Sequence, residues 1–308
     1  MASATEKPHQ VVAARAGSNL ARYKWFVPAV VLLSVLAACV AADSVFIEPF
    51  RIEVTHFDIQ APLLSPLKIA QFSDVHTHGM GRNGRQALLV LANEKPELLV
   101  VTGDCLGNLA GNYSMCEDFY RHLHAPLGVW IVRGNWENDR PVYRERAFYK
   151  RCGVHLLVNA NASPRGDFSL FGLDDSTSGT PRLDAALSDV PNQTYKIALF
   201  HSPAYFDRIA GRVNLCIAGH THGGQVRIPL VKPFWLPKGC GRFLEGWYEE
   251  KGTAMYVNRG LGMSNLSIRF LCRPEITIFN LHPLPLPMNF ALRRTAPDPL
   301  GFSRIFED

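Results

Sequence analysis

Residues 98–104, Leu-Leu-Val-Val-Thr-Gly-Asp, decide the fold: a run of apolar and β-branched residues halts at a glycine and a carboxylate. A continuous run needs apolar neighbours on both faces, which describes a strand buried inside a layered α/β domain. The pattern recurs on either side of it. Leu67–Phe72 leads into Ser73-Asp74, Val129–Val132 into Gly134-Asn135, and Phe168–Leu173 into Asp174-Asp175. Lys196–Phe200 leads into His201, and Val213–Ala218 into Gly219-His220. Helical patterns lie between them at Arg85–Lys95, closed by Pro96, at Ser114–His124 and at Arg140–Cys152. From Ala254, AMYVNRG followed by PEITIFNL reads as a hairpin-like stretch completing a sheet. Loops just past strand ends form the ligand crevice of such folds, and here nearly every run stops at Asp, Asn or His.

The remaining chain divides by composition. Residues 1–24 form a polar, basic tail carrying Lys7, Arg15, Arg22 and Lys24. Residues 25–42 carry no charge and only Ser34 as a polar interruption. That predicts a transmembrane or signal-anchor helix near the lower length limit for a span. Three alternatives stay open: a buried helix of a globular domain, which the missing polar stripe makes the weaker reading, a cleaved signal, with Leu36-Ala37-Ala38-Cys39 matching a lipid-attachment site, or a helix lying in one leaflet. Basic residues before the span and Asp43, Glu48 and Glu53 after it orient the N-terminus toward the cytoplasm. Residues 43–64 are expected to be a linker and first strand, 65–282 one layered domain, and 283–308 a Pro-rich irregular tail. A net charge of +5 with no lysine- or arginine-rich block excludes nucleic acid as the expected partner. The seven cysteines show no CxxC pair and read as buried or free thiols.

In chain order the strand ends present Asp74-x-His76, Gly103-Asp104, Gly134-Asn135, His201 and Gly219-His220-Thr221-His222. Each piece alone is background. Together they offer only nitrogen and oxygen donors, a set suited to Mn, Fe or Zn and unlike a thiolate structural zinc site. Residues two apart on extended backbone point the same way, so Asp74 with His76, and His220 with His222, can converge.

This order resembles the calcineurin-like metallophosphoesterase superfamily over nearly all of the chain after residue 65. Gly223-Gly224-Gln225, Asn258-Arg259-Gly260-Leu261-Gly262, Ile268-Arg269-Phe270 and Pro274-Glu275-Ile276 are similar to its membrane-tethered bacterial branch. The resemblance implies a four-layer αββα sandwich of two mixed sheets with a dinuclear metal site at strand ends, behind an N-terminal membrane helix. It implies that Asp74, His76 and His222 hold one divalent ion, Asn135, His201 and His220 the second, and that Asp104 bridges them. It further implies a hydrolase of the cell inner membrane cutting a phosphodiester or pyrophosphate bond. Some members of that branch cleave the lipid-linked UDP-diacylglucosamine. In such sites two ions roughly 3.5–4 Å apart clamp a phosphate and acidify a bridging water, giving a hydroxide for in-line attack. A cytoplasmic nucleotide-linked substrate conflicts with the outward orientation read from the charges, and membrane side and oligomeric state stay open.

The chain departs from the family pattern at one position. Gly134-Asn135-Trp136-Glu137 stands where G-N-H-[DE] is usual, so a histidine that steadies the transition state is replaced by Trp136. Three outcomes follow: another donor serves, for which His78 is the nearest candidate beside Asp104 and Asn135; catalysis is slower; or the protein binds metal and regulates without cleaving. Two weaker features are Asp174-Asp175, as site support or a capped loop, and Arg227, Arg242 and Arg259, as phosphate partners. The patch Val231–Leu236, with Trp247 and Tyr248, reads either as ordinary core and rim or as an apolar edge at a membrane.

Overall fold

The computed structural model describes residues 9–76, 79–106, 113–284 and 292–293. The chain forms two compact units, residues 1–47 and 48–308. In the first, α1 (His9–Phe46) is one helix, longer than the uncharged stretch that signals it. The stretch Lys24–Phe50, most of it within α1, has a mean hydropathy of 2.5 and is long and apolar enough to cross a membrane.

The second unit is built on two mixed sheets. The first runs β13 (Leu292–Arg293), β1 (Glu53–Ala61), β12 (Glu275–Pro283), β2 (Leu67–Phe72), β3 (Leu98–Thr102), β4 (Val129–Val132), β5 (His155–Leu156). The second runs β10 (Gly246–Glu250), β11 (Thr253–Val257), β9 (Leu215–Ala218), β8 (Tyr195–Leu199), β7 (Phe168–Gly172), β6 (Ala160–Arg165). Within the first, β2, β3 and β4 are mutually parallel. Within the second, β7, β8, β9 and β11 are parallel in turn.

Alternation along each strand divides its side chains between two cores. Leu67 and Ile69 of β2, Leu98 and Val100 of β3, Ile197 and Leu199 of β8, and Leu215 and Ile217 of β9 meet between the sheets. The intervening Ala70, Phe72, Leu99 and Val101 pack outward with residues of α2 (Arg82–Glu94), α3 (Tyr113–Arg121) and α4 (Val142–Arg151). On the far side, Ala198 and Cys216 pack with α5 (Leu183–Leu187) and α6 (Phe206–Ile209). The order is helix, sheet, sheet, helix. This is the αββα sandwich expected, and the unbroken apolar runs are explained by strands covered on both faces.

Helix ends follow the residues at hand. α2 stops at Lys95, which takes the left-handed conformation at φ 51 with its N–H on Leu91 O, and Pro96 forbids continuation.

One expectation needs correcting. Residues 254–260 and 274–281 do not form a hairpin. β11 joins the second sheet, where it forms a hairpin with the preceding β10, while β12 crosses to the first sheet between β1 and β2. Most of the Pro-rich tail lies outside the described residues, and Leu292–Arg293 pairs with β1. All seven cysteines are free thiols, six of them buried.

Candidate metal centre

Parallel strands present their C-terminal ends on one side, so the topology brings loops from both sheets to one edge. Ser73–His76 follows β2, Asp104 follows β3, Asn135 follows β4, His201 follows β8 and Gly219–His222 follows β9. Close approach is purchased by glycine at two points. A Cβ on Gly134 would overlap Asp104 Oδ1, and one on Gly103, at φ +88, would lie 2.7 Å from His201 Nδ1.

Two donor clusters result: Asp74, His76 and His222, and Asp104, His201 and His220. In the first, His222 Nε2 lies 3.4 Å from Asp74 Oδ1 and 3.2 Å from His76 Nε2. In the second, His201 Nε2 is 3.3 Å from Asp104 Oδ2, 2.9 Å from His220 Nδ1 and 3.2 Å from Asn135 Oδ1. The clusters adjoin: His76 Nε2 is 3.7 Å from Asp104 Oδ2, and His201 Nε2 is 4.0 Å from Asp74 Oδ1. The seven side chains expected to be ligands are thus gathered in one place. Thr77 and His78, the candidate donor, lie outside the described residues.

The donor set fits divalent cations on three observations. His201 Nδ1 faces Thr102 O at 2.7 Å and His220 Nε2 faces Lys238 O at 2.6 Å. A carbonyl accepts only, so those nitrogens carry protons, and His201 Nε2 and His220 Nδ1, which face each other, are the ring atoms left to bind a cation. Burial alone would lower the His201 imidazole, but the Asp104 and Asp74 carboxylates push it well above the ordinary histidine value, so this pocket favours a positive charge, carried by a proton or by a cation. Secondly, Asp74 and Asp104 are buried carboxylates, and Asp74 Oδ1 and His222 Nδ1 are buried without a hydrogen-bond partner. Thirdly, Asp74, His76, Asp104, His220 and His222 all sit at positive φ, between 44° and 76°. Strain gathered on five donors marks a functional constraint rather than a packing solution.

Electrostatics agree. Burial disfavours the charge on Asp104, but His201 and His76 and the Trp136 backbone N–H hold its carboxyl well below the usual range. Burial raises the Asp74 carboxyl, opposed by His201 and reinforced by Asp104. Burial, together with His76 and Arg269, keeps His222 well below the ordinary histidine value, in the neutral form a ligand needs.

Sequence reasoning passed over the residues that hold this arrangement. Buried Glu137 accepts four backbone N–H groups: Asp104 at 3.0 Å, Cys105 at 2.7 Å, Leu106 at 3.1 Å and Gly134 at 2.7 Å. It fastens the β3 and β4 loops together. Burial and the Asp104 charge push its carboxyl up, while the N–H donors favour the ionised form. The acid three residues after Gly134 was the available signal. Asp175 accepts from Thr177 N and Oγ1, from Ser178 N and Oγ, and from Ser202, beside His201. It therefore caps its own loop and braces the β8 end, so both readings of the acidic pair hold.

The three arginines considered for phosphate are committed elsewhere. Arg227 pairs with Glu245 at 2.5 Å, Arg242 with Asp207 and Glu250, and Arg259 with Glu275 at 3.2 Å and with Glu53. Trp247 packs on Phe57, Tyr256 and Phe279 at the inter-sheet core, whereas Leu230, Val231, Phe234 and Trp235 are exposed. Trp136 and His76 pack at a steep angle, 4.4 Å between centroids, and the Trp136 backbone N–H donates to Asp104 Oδ1 at 2.9 Å.

Fold and site together define a metal-dependent phosphoester hydrolase of the αββα type. The chain belongs to the calcineurin-like phosphoesterases, whose family model matches residues 67–224. It is 34% identical to the metallophosphoesterase YkuE of Bacillus subtilis over 77% of this chain and 87% of that one. It is 29% identical to the phosphodiesterase YaeI of Escherichia coli over 70% of this chain and 83% of the relative. A metallophosphoesterase of Aquifex aeolicus is 26% identical over 76% and 94% respectively.

Proposed function

We propose that this protein is a membrane-anchored phosphodiesterase or pyrophosphatase using two divalent ions, acting on a lipid-linked or membrane-proximal substrate such as UDP-diacylglucosamine. The observation that carries the reading is the pair of adjoining donor clusters meeting at Asp104. Asp74, His76 and His222 would hold one ion and Asn135, His201 and His220 the other, with Asp104 available to both. Such ions, when bound, polarise a phosphoryl oxygen and acidify water. Nitrogen and oxygen donors suit Mn, Fe or Zn.

The chain's own residues do the rest. Thr102 O and Lys238 O fix the tautomers of His201 and His220. Glu137 keeps Asp104 and Asn135 in register. The water gives up a proton to solvent and its oxygen bonds to phosphorus as the ester P–O bond breaks, and the departing oxygen takes a proton. His78 is the proposed donor of that proton, and the Trp136 indole N–H, which has no hydrogen-bond partner among the described residues, offers one bond to a substrate oxygen. Support for the membrane setting is the apolar helix near the N-terminus and the exposed Leu230, Phe234 and Trp235. The printed name of the E. coli relative supports the diester class.

Trp136 in place of histidine favours a second reading, a metal-binding regulator that does not turn over. Hydrolysis of bis-p-nitrophenyl phosphate with added Mn²⁺ separates the two: turnover in the wild type, lost by about 10³-fold or more in Asp104→Ala, is expected. A wild type with no metal-dependent turnover would overturn the enzyme reading.

A further inference from the structure

Beside the metal centre, Asn135 and Trp136 form one wall of a cleft of about 910 Å³ whose other lining includes Asp139, Arg140, Arg144 and Arg151. Arg144, Ala147 and Arg151 lie three and four residues apart on α4 and all line it, so they share one helix face. Ala147, the small residue between the two arginines, is exposed, and Arg151 Nη1 donates to its carbonyl at 3.3 Å. Tyr143, 65% exposed, adds an aromatic side chain at the rim.

The cleft's charge is unbalanced. Its lining holds one carboxylate, Asp139, and of its arginines Arg140 is engaged electrostatically with Glu145, which leaves Arg144 and Arg151. The acid of α4 itself, Glu145, points inward and pairs with Arg133 at 3.0 Å, and Glu117 of α3 is taken by Arg121. Among the described residues, Arg144 and Arg151 pair with no carboxylate, in contrast to Arg227, Arg242 and Arg259. The cleft is also held firmly to the site. Arg133 grips Glu145 with two bonds of 3.0 Å and donates at 2.8 Å to the carbonyls of Glu137 and Arg140. That locks the start of α4 to the loop bearing Asn135.

An open cleft beside the metal centre that presents two exposed guanidinium groups is a phosphate receptor by its chemistry. A single phosphate seated at the metal centre leaves it unfilled. We infer that this cleft is a subsite for a second phosphate on the substrate, gripped by Arg144 and Arg151 with a flat group against Trp136 and Tyr143. Resting on the phosphoesterase reading, this narrows the substrate class. The scissile phosphoester carries another anionic phosphate one group away, as in a pyrophosphate-linked nucleotide or a phosphorylated headgroup. It also gives the tryptophan that replaces histidine a use, as the wall shared by site and subsite.

Two measurements on the full chain in detergent test this. In EDTA, calorimetric titration with inorganic pyrophosphate should show binding that Arg144→Gln/Arg151→Gln weakens about tenfold or more and Asp104→Ala does not weaken. With Mn²⁺, the double variant's loss of kcat/KM on two-phosphate substrates should exceed its loss on bis-p-nitrophenyl phosphate by about tenfold or more, mainly through KM. A nucleoside diphosphate sugar and a glycerophosphodiester bearing a distal phosphomonoester form the two substrate arms, and the arm with the larger effect names the source. Equal losses on one- and two-phosphate substrates, or undiminished pyrophosphate binding by the double variant, would overturn the subsite. The titration in EDTA reads the cleft independently of turnover, so a catalytically silent wild type condemns the enzyme reading and leaves the subsite to its own result.

Discussion

At the scale of single residues, Trp136 sets the chemistry apart. Its ring lies against His76, and its backbone N–H is spent on Asp104, but an indole has no proton to give at neutral pH. Restoring imidazole should therefore matter most where the leaving oxygen needs a proton. Trp136→His is expected to raise kcat on alkyl phosphodiesters by about 10²-fold. p-Nitrophenyl esters, whose leaving group departs unprotonated, should gain little. Equal gains on both, measured at one pH and metal concentration, would mean the ring acts by shape alone. The legibility of the site follows the same division by residue. Asp74, His76, Asp104, His201, His220 and His222 could be picked out because each sits where an apolar run ends. Glu137 could not be assigned its role, because it accepts from Asp104, Cys105 and Leu106, backbone groups about thirty residues away in a different loop. The arginines could not be sorted either: charge pairing is a property of the folded surface, and composition gives no hint that Arg227 is spent and Arg144 is not.

At the scale of elements, the apolar runs identified strands well and sheet membership poorly. β2, β3 and β4 match their runs residue for residue. β11 and β12 were misjoined because an apolar run covered on both faces looks the same in either sheet. The loop between His222 and β10 shows a comparable limit, since its apolar residues read equally as core. In the structure Leu230 is 91% exposed, Phe234 76% and Trp235 54%, with Lys232 and Lys238 close by in sequence. One end touches the site, where Lys238 O accepts from His220, and Pro233 packs on Gly224 two residues after His222. An exposed apolar loop with basic neighbours suits a lipid interface. Replacing Leu230, Phe234 and Trp235 together by serine should cut hydrolysis of detergent-dispersed lipid phosphodiesters by about tenfold or more. The same variant assayed on bis-p-nitrophenyl phosphate decides the matter, because an equal loss there would indicate damage to the metal centre instead.

At the scale of the whole second unit, one buried carboxylate joins the two sheets that the site straddles. Glu275 opens β12 in the first sheet and accepts from Thr55 of β1 at 2.7 Å, from Tyr256 of β11 at 2.5 Å and from Arg259 N at 3.1 Å. Arg259 Nε lies 3.2 Å away, completing the pair across the sheets. Burial opposes the Glu275 charge, yet Arg259 and the two hydroxyls hold its carboxyl below the ordinary glutamate value. A carboxylate with a depressed folded pKa contributes stability fully present above its unfolded value of about 4.3 and lost as pH falls through the folded one. Glu275→Gln should therefore cost about 3 kcal/mol at pH 7, the lower end for a broken buried pair, because Arg259 keeps Glu53 and Glu245. The gap in denaturation midpoint between wild type and variant should narrow steadily below about pH 4. A gap that stayed constant down to pH 3 would mean the cost is one of shape, and that the charge of Glu275 does not hold the sheets together.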